Sequence, residues 1–177
     1  MKTIELLYEA TSQHQLFVDL DGVLVDFEKH AREVFNNCPT SWEQNKGKGK
    51  FWKDVTRSCK EGNPFFLAMD PMHDAFQLWN YIKKYNPRIL SATGSLHVVP
   101  NAKYEKREWV RKHLGDTTAG TAVLVQSAVD KAQYAAPHHI LIDDRDKAID
   151  PWIAAGGIGI LHTSANTTIK RLKELGL

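Results

Sequence analysis

The sequence predicts an α/β fold: an open parallel sheet of about five strands, flanked by helices, with a small helical cap inserted after the first core strand. Three observations predict it. Short apolar runs bounded by turn residues recur along the chain, and segments of helical period separate them. One long stretch after the first run contains no convincing strand. Strands alternating with helices argue for βα units, a Rossmann-like sheet covered on both faces.

The elements follow in order. Leu16 to Leu20 is the first strand. A helical pattern near Phe27 to Phe35 opens the long stretch, which is assigned as the cap, residues 27–73; residues 1–26 and 74–177 form the α/β core. Ala75, Leu78, Trp79 and Ile82 fall on one helical face behind a candidate cap at Asp74, and Pro87 stops that helix. Arg88 to Ala92 is the second strand. A helix over Lys103 to Leu114 turns Trp109, Val110 and Leu114 inward and ends at Gly115. Ala122 to Val125, Ile140 to Ile142 and Ile158 to Leu161 complete the strands, and a last helix runs from about Thr167 to Leu175.

Composition removes several classes of function. The 177 residues are 42% hydrophobic, 10% aromatic and 25% charged, enough for one sizeable core and not the profile of a disordered or fibrous chain. Lys plus Arg number 23 against 21 Asp plus Glu, a net charge of +2, so nothing global favours nucleic acid or an acidic membrane. Cys38 and Cys59 fit neither a disulfide framework nor a paired metal spacing. The first residues lack the apolar run of a signal peptide, and no stretch is long enough for a spanning helix, so the expectation is a soluble, cytoplasmic protein without a membrane partner.

Two acidic clusters carry the chemistry. In LFVDLDGVLVDF an apolar strand runs into Asp19, Asp21 and Gly22; in ILIDDRD another runs into Asp143 and Asp144. Ligands of open parallel sheets bind beyond the carboxyl ends of the strands, where both clusters fall. A calcium loop is excluded, because Val23 and Leu24 stand where its fifth and sixth positions need Asp or Asn and Gly. Carboxylates gathered after buried strands repel unless a cation joins them. Magnesium, which takes one or two carboxylates with waters and a substrate phosphate, is the natural occupant. GGIGIL and NKGKGK match neither a dinucleotide fingerprint nor a Walker loop, and the eight histidines show no metal-ligand spacing.

DLDGV and LIDDR resemble the first and fourth motifs of the haloacid dehalogenase-like hydrolases. Ser91 in RILSATGS and Lys131 in VDKAQYA resemble the second and third. Together with NPFFLAMDPM, the run YEKREWVRKHLG is similar to the 5′(3′)-deoxyribonucleotidase branch; the chain departs from it where Thr93 takes a proline's place. The resemblance implies a magnesium-dependent phosphatase acting on a small phosphorylated substrate, a nucleoside monophosphate, through an aspartyl phosphate. Asp19 is then the nucleophile and Asp21 the general acid and base. Asp19, Asp21 through its carbonyl, and Asp144 hold the metal, with Asp143 orienting from behind. Ser91, with Thr93 as the alternative hydroxyl, Lys106 and Lys131 face the phosphate.

Phe27, Phe51, Trp52 and Phe66 line the substrate pocket or fill the cap's own core. The four lysines from Lys46 to Lys53 either grip further phosphates or remain solvated. Two other functions fit the same residues: a phosphatase of nucleic-acid ends or another phosphoester, and a noncatalytic module holding magnesium and a nucleotide.

Overall fold

The computed structural model describes residues 14–35 and 49–177. Five strands, β1 (Gln15–Val18), β2 (Arg88–Ala92), β3 (Val123–Val125), β4 (His139–Asp143) and β5 (Ile158–Leu161), form one parallel sheet in the order β3-β2-β1-β4-β5. The first strand is therefore central. Its register sets Val18 beside Ile89 of β2 on one side and Ile142 of β4 on the other, so three strand tips converge.

Alternation explains why these short runs lie flat between two layers of helix. Leu16 and Val18 of β1, with Ile140 and Ile142 of β4, point to one face; Phe17 and Leu141 point to the other. All six are at most 2% exposed. On the first face lie α3 (Ala75–Ile82), α4 (Ala102–Leu114) and α7 (Ala165–Glu174), which contribute Leu78, Ile82, Trp109, Val110 and Leu172 to the cluster. On the second face α6 (Asp146–Ala154) presses Trp152 edge-on against Phe17, with ring centroids 5.3 Å apart.

Several boundaries move, each for a local reason. β1 ends at Val18 rather than Leu20, because the Leu20 carbonyl accepts from the N–H groups of Val23, Leu24 and Val25 and curls the chain into a tight turn. After Gly115, whose φ of 97° ends α4, the short helix α5 (Asp116–Thr121) fills a stretch the apolar periodicity left blank. The last helix starts at Ala165, where the Ser164 side chain accepts from Thr167 N. Asp74 precedes α3 without capping it. Its Oδ2 instead accepts from Ala165 N at 2.7 Å, so it serves the start of α7, 91 residues away in sequence.

Between β1 and α3 the described residues form two further helices, α1 (Phe27–Phe35) and α2 (Lys50–Lys60). The chain enters and leaves this stretch side by side: Asp26 N donates to Asp70 O, Met72 N donates to Leu24 O, and Val25 bridges Pro71. Phe27, Phe35, Phe51, Trp52 and Phe65 form an aromatic cluster with centroid separations of 5.0–6.2 Å. Phe51, Val55, Phe65, Phe66 and Met69 are continuous with the apolar cluster of the sheet's first face. Each buried phenylalanine contributes about 1.5–3 kcal/mol through lost apolar surface. Cys38, Lys46 and most of the 45–50 patch lie outside the described residues.

No helix among the described residues is long and apolar enough to cross a membrane.

Candidate active site

The site forms at the carboxyl ends of the three central strands. Asp19 follows β1 and is still tied to β4 by its N–H, which donates to Ile142 O at 3.0 Å. Asp143 ends β4, Asp144 follows it, and Ser91 lies near the end of β2. Carboxylate oxygens of Asp19, Asp143 and Asp144 lie within 4.8 Å of one another. Residues more than 120 apart in sequence thus meet because β1 and β4 pair in parallel.

Two buried lysines divide this cluster. Lys131, on the 3₁₀ turn Val129–Tyr134, places Nζ 2.9 Å from Asp19 Oδ2 and hydrogen-bonds Asp143 Oδ2. Lys106, from α4, donates to Ser91 Oγ at 3.0 Å and to Asp21 Oδ2. Both lysines are 1% exposed, an arrangement tolerated only where charges are paired.

The oxygens left over are informative. Asp143 has both committed, Oδ2 to Lys131 and Oδ1 to the N–H of Arg145. Asp19 Oδ1 and Asp144 Oδ1 are buried and have no hydrogen-bond partner among the described residues. A buried, unpartnered carboxylate oxygen is costly, and two of them facing one cluster fit a hard divalent cation. Gly22 completes that cradle: its φ is +76°, and a Cβ built there would stand 2.2 Å from Asp144 Oδ2.

The electrostatics separate the acids. Burial raises the Asp19 pKa, but Lys131 and Lys106 together with hydrogen bonds from Lys131 and Ser91 overcome it, so Asp19 is held below its ordinary value as a carboxylate. Burial dominates at Asp21; Lys106 opposes it and Asp19 reinforces it, leaving Asp21 above its ordinary value. Burial and the Asp19 charge lift Asp143 to about 7 and Asp144 to about 6. For Lys131 burial favours the neutral amine, but Asp19 and Asp143 outweigh it and the ammonium is retained. Two adjacent carboxylates pushed in opposite directions are the arrangement expected of a nucleophile beside a proton donor.

Of the residues singled out by sequence, Asp19, Asp21, Ser91, Lys106, Lys131, Asp143 and Asp144 come together here. Thr93 is buried, and its hydroxyl lies 3.1 Å from both the Gly94 and Val125 carbonyls, outside the lysine pairings that engage Ser91. Phe66 lies beside the site, its ring centroid 4.6 Å from Lys106 Nζ. Phe51, 1% exposed, sits inside the aromatic cluster, and Phe27 and Trp52 are half-buried around it. Lys50 pairs with Asp54 of its own helix at 3.2 Å. Glu105 escaped the sequence reading: 4% exposed, it accepts from the backbone of Phe65 and Phe66. Its signal, an acid next to Lys106 on a helix, was indistinguishable from a solvated charge.

Residues 13–173 match the family model described as 5′ nucleotidase, deoxy (Pyrimidine), cytosolic type C protein. The chain belongs to this family. The chain is 28% identical over 149 residues to the mitochondrial 5′(3′)-deoxyribonucleotidase of Mus musculus, covering 74% of this chain and 64% of that protein. A putative 5′(3′)-deoxyribonucleotidase of Vibrio phage KVP40 is 26% identical over 153 residues, covering 83% and 79% respectively. The chain thus spans less than two thirds of the mouse protein's length. A hydrolase structure from Streptococcus pneumoniae TIGR4 superposes with a TM-score of 0.52 at 14% identity, covering 92% of this chain and 100% of that one, a likeness of fold. The fold of this 5′ nucleotidase family member is the one its sequence resemblance implied.

Proposed function

We propose that this chain hydrolyses a phosphomonoester, a (deoxy)nucleoside monophosphate, through an aspartyl phosphate on Asp19. The observation that carries the reading is the division of oxygens on Asp19: Oδ2 is neutralised and fixed by Lys131, while Oδ1 is buried and unpartnered, as is Oδ1 of Asp144, in a cluster whose carboxylates approach within 4.8 Å. Family membership supports the substrate class, as do two relatives named deoxyribonucleotidases.

The residues supply the steps. Asp19, kept ionised by Lys131 and Lys106, attacks phosphorus in line with the leaving oxygen. Asp21, raised by burial, gives its proton to the departing alkoxide. Asp21 then takes a proton from the water that opens the acyl phosphate, returning Asp19 as a carboxylate and releasing inorganic phosphate. Lys106 and the Ser91 hydroxyl, already joined at 3.0 Å, contact the nonbridging oxygens. Thr93, its hydroxyl set against backbone, supports the turn that presents Ser91.

The donor set fits magnesium. Asp19 and Asp144 would hold it through the unpartnered oxygens, with the Asp21 carbonyl, while Asp143 keeps Lys131 in place. Bound there, the cation supplies positive charge that lets a carboxylate and a phosphate approach. Residues 27–73 act as the cap: Phe66 stands beside Lys106, Phe51 fills the aromatic cluster, and the half-buried Phe27 and Trp52 are the rings left to meet a substrate.

Release of inorganic phosphate from deoxynucleoside monophosphates, sugar phosphates and end-phosphorylated oligonucleotides, with magnesium and with a chelator, tests this. Turnover of nucleotides that requires magnesium and disappears in Asp19→Asn is expected. No release from any substrate, or release that survives Asp19→Asn, overturns the assignment.

A further inference from the structure

Lys106 sits on a flexible four-carbon stem whose freedom must be restricted if its ammonium is to meet a phosphate at one place. The residue before it shows how. Glu105 is 4% exposed, and a single oxygen, Oε2, accepts from Phe65 N at 2.9 Å and from Phe66 N at 2.8 Å. Charge-assisted bonds to two successive amides fix the backbone of that dipeptide. One turn further along the same helix face, Trp109 Nε1 donates to Met69 O at 2.8 Å, so α4 grips the segment at two points.

What the dipeptide delivers is the Phe66 ring, 3% exposed, over Lys106 Nζ at 4.6 Å from the centroid. The ring covers one side of the ammonium; Ser91 Oγ and Asp21 take its hydrogen-bond directions. Among the described residues, the hydrogen bonds of the Glu105 carboxylate go to the two amides and not to Lys106, Ser91 or Asp21. The route from Glu105 to Lys106 that these bonds trace runs through the backbone that carries the ring.

We propose that Glu105 is a positioning residue, which by anchoring the Phe65–Phe66 backbone seats Phe66 over Lys106 and keeps the ammonium aimed at Asp21 and Ser91. Its effect on turnover rests on the phosphatase reading above; the placement itself does not. Glu105→Ala removes both acceptors, whereas Glu105→Gln keeps a carbonyl oxygen able to accept from both amides. The first lowers kcat/KM by about tenfold or more for every phosphomonoester the wild type cleaves, and the second restores most of it. In a Lys106→Met background, Glu105→Ala costs less than about twofold, because the group it positions is gone.

A signature independent of activity accompanies this. The ε-methylene protons of Lys106, beneath the Phe66 ring, resonate upfield in wild type and in Glu105→Gln, and return to ordinary values in Glu105→Ala. Should Glu105→Ala fail to fold, Phe66→Leu keeps the apolar filling without the ring, and must lower kcat/KM in wild type but not in Lys106→Met. An unchanged ring-current shift in Glu105→Ala overturns the proposal, as do losses from Glu105→Ala, or from Phe66→Leu, that multiply fully with Lys106→Met. If wild type releases phosphate from nothing, the phosphatase reading falls, and the ring-current shift alone decides the placement.

Discussion

Gly22 lies so close to Asp144 that a Cβ on its backbone would stand 2.2 Å from the carboxylate oxygen Oδ2. The tight turn after β1 and the tip of β4 are thus fitted to each other without a side chain between them. Gly22→Ala forces the Asp144 carboxylate aside and imposes a left-handed φ of +76° on a residue with a Cβ. The strain of about 1–2 kcal/mol lowers Tm by roughly 2–8 °C. Activity falls far more than stability does, because the displaced group is Asp144. Calorimetry beside a phosphate-release assay checks this; a variant with wild-type turnover would show that Asp144 has room to move.

Magnesium binding gives a second expectation. A cation held by Asp19 and Asp144 binds only the folded chain, and at about a hundred times its dissociation constant stabilises by about 2.7 kcal/mol. Tm then rises by roughly 5–10 °C. Asp144→Asn loses at least half of that rise, and equal shifts in both proteins would remove Asp144 from the ligand set.

Lys131 pairs with two buried carboxylates at once, so Lys131→Met removes the cation between Asp19 and Asp143 and leaves Asp19 only the more indirect charge of Lys106. Removing one partner of such a buried group costs about 3–5 kcal/mol. Urea unfolding measures it, and added magnesium recovers part of the loss. A cost below about 1 kcal/mol, the range of exposed pairs, would mean that the lysine is not held as the structure has it.

How much of this was legible beforehand follows from where the information sits. The alternation of Leu16, Phe17 and Val18, and of Ile140, Leu141 and Ile142, encodes a strand buried on both faces, and it was readable because burial acts on single residues. The acids at two strand ends were readable for the same reason. Long-range hydrogen bonds were not: Asp74 reads as the cap of the helix that follows it, yet serves Ala165, and nothing local distinguishes the two uses. Glu105 is the same case within the site. Among the aromatics, type alone cannot separate Phe51, enclosed by other rings, from Phe66, which covers a lysine.

A pH dependence of stability arises away from the acids. His162 is 5% exposed, with Nδ1 2.8 Å from Thr168 Oγ1. Burial lowers its pKa below the ordinary 6.5, with Asp74 opposing. Above 6.5 neither the folded nor the unfolded chain is protonated there, and the stabilisation is intact. As pH falls below 6.5 the unfolded chain takes up the proton first, so stability is lost. The Tm gap between wild type and His162→Gln therefore narrows from pH 7.5 to pH 5; a gap that holds or widens would contradict the burial of a neutral ring.

The aromatic residues inserted after β1 share one continuous apolar cluster with the sheet. A change that repacks those rings also disturbs the apolar cluster under the central strands. On the proposed placement of the pocket, selectivity and endurance to heat are therefore coupled, and variants that acquire a new substrate through that cluster will need compensating substitutions elsewhere in the interior.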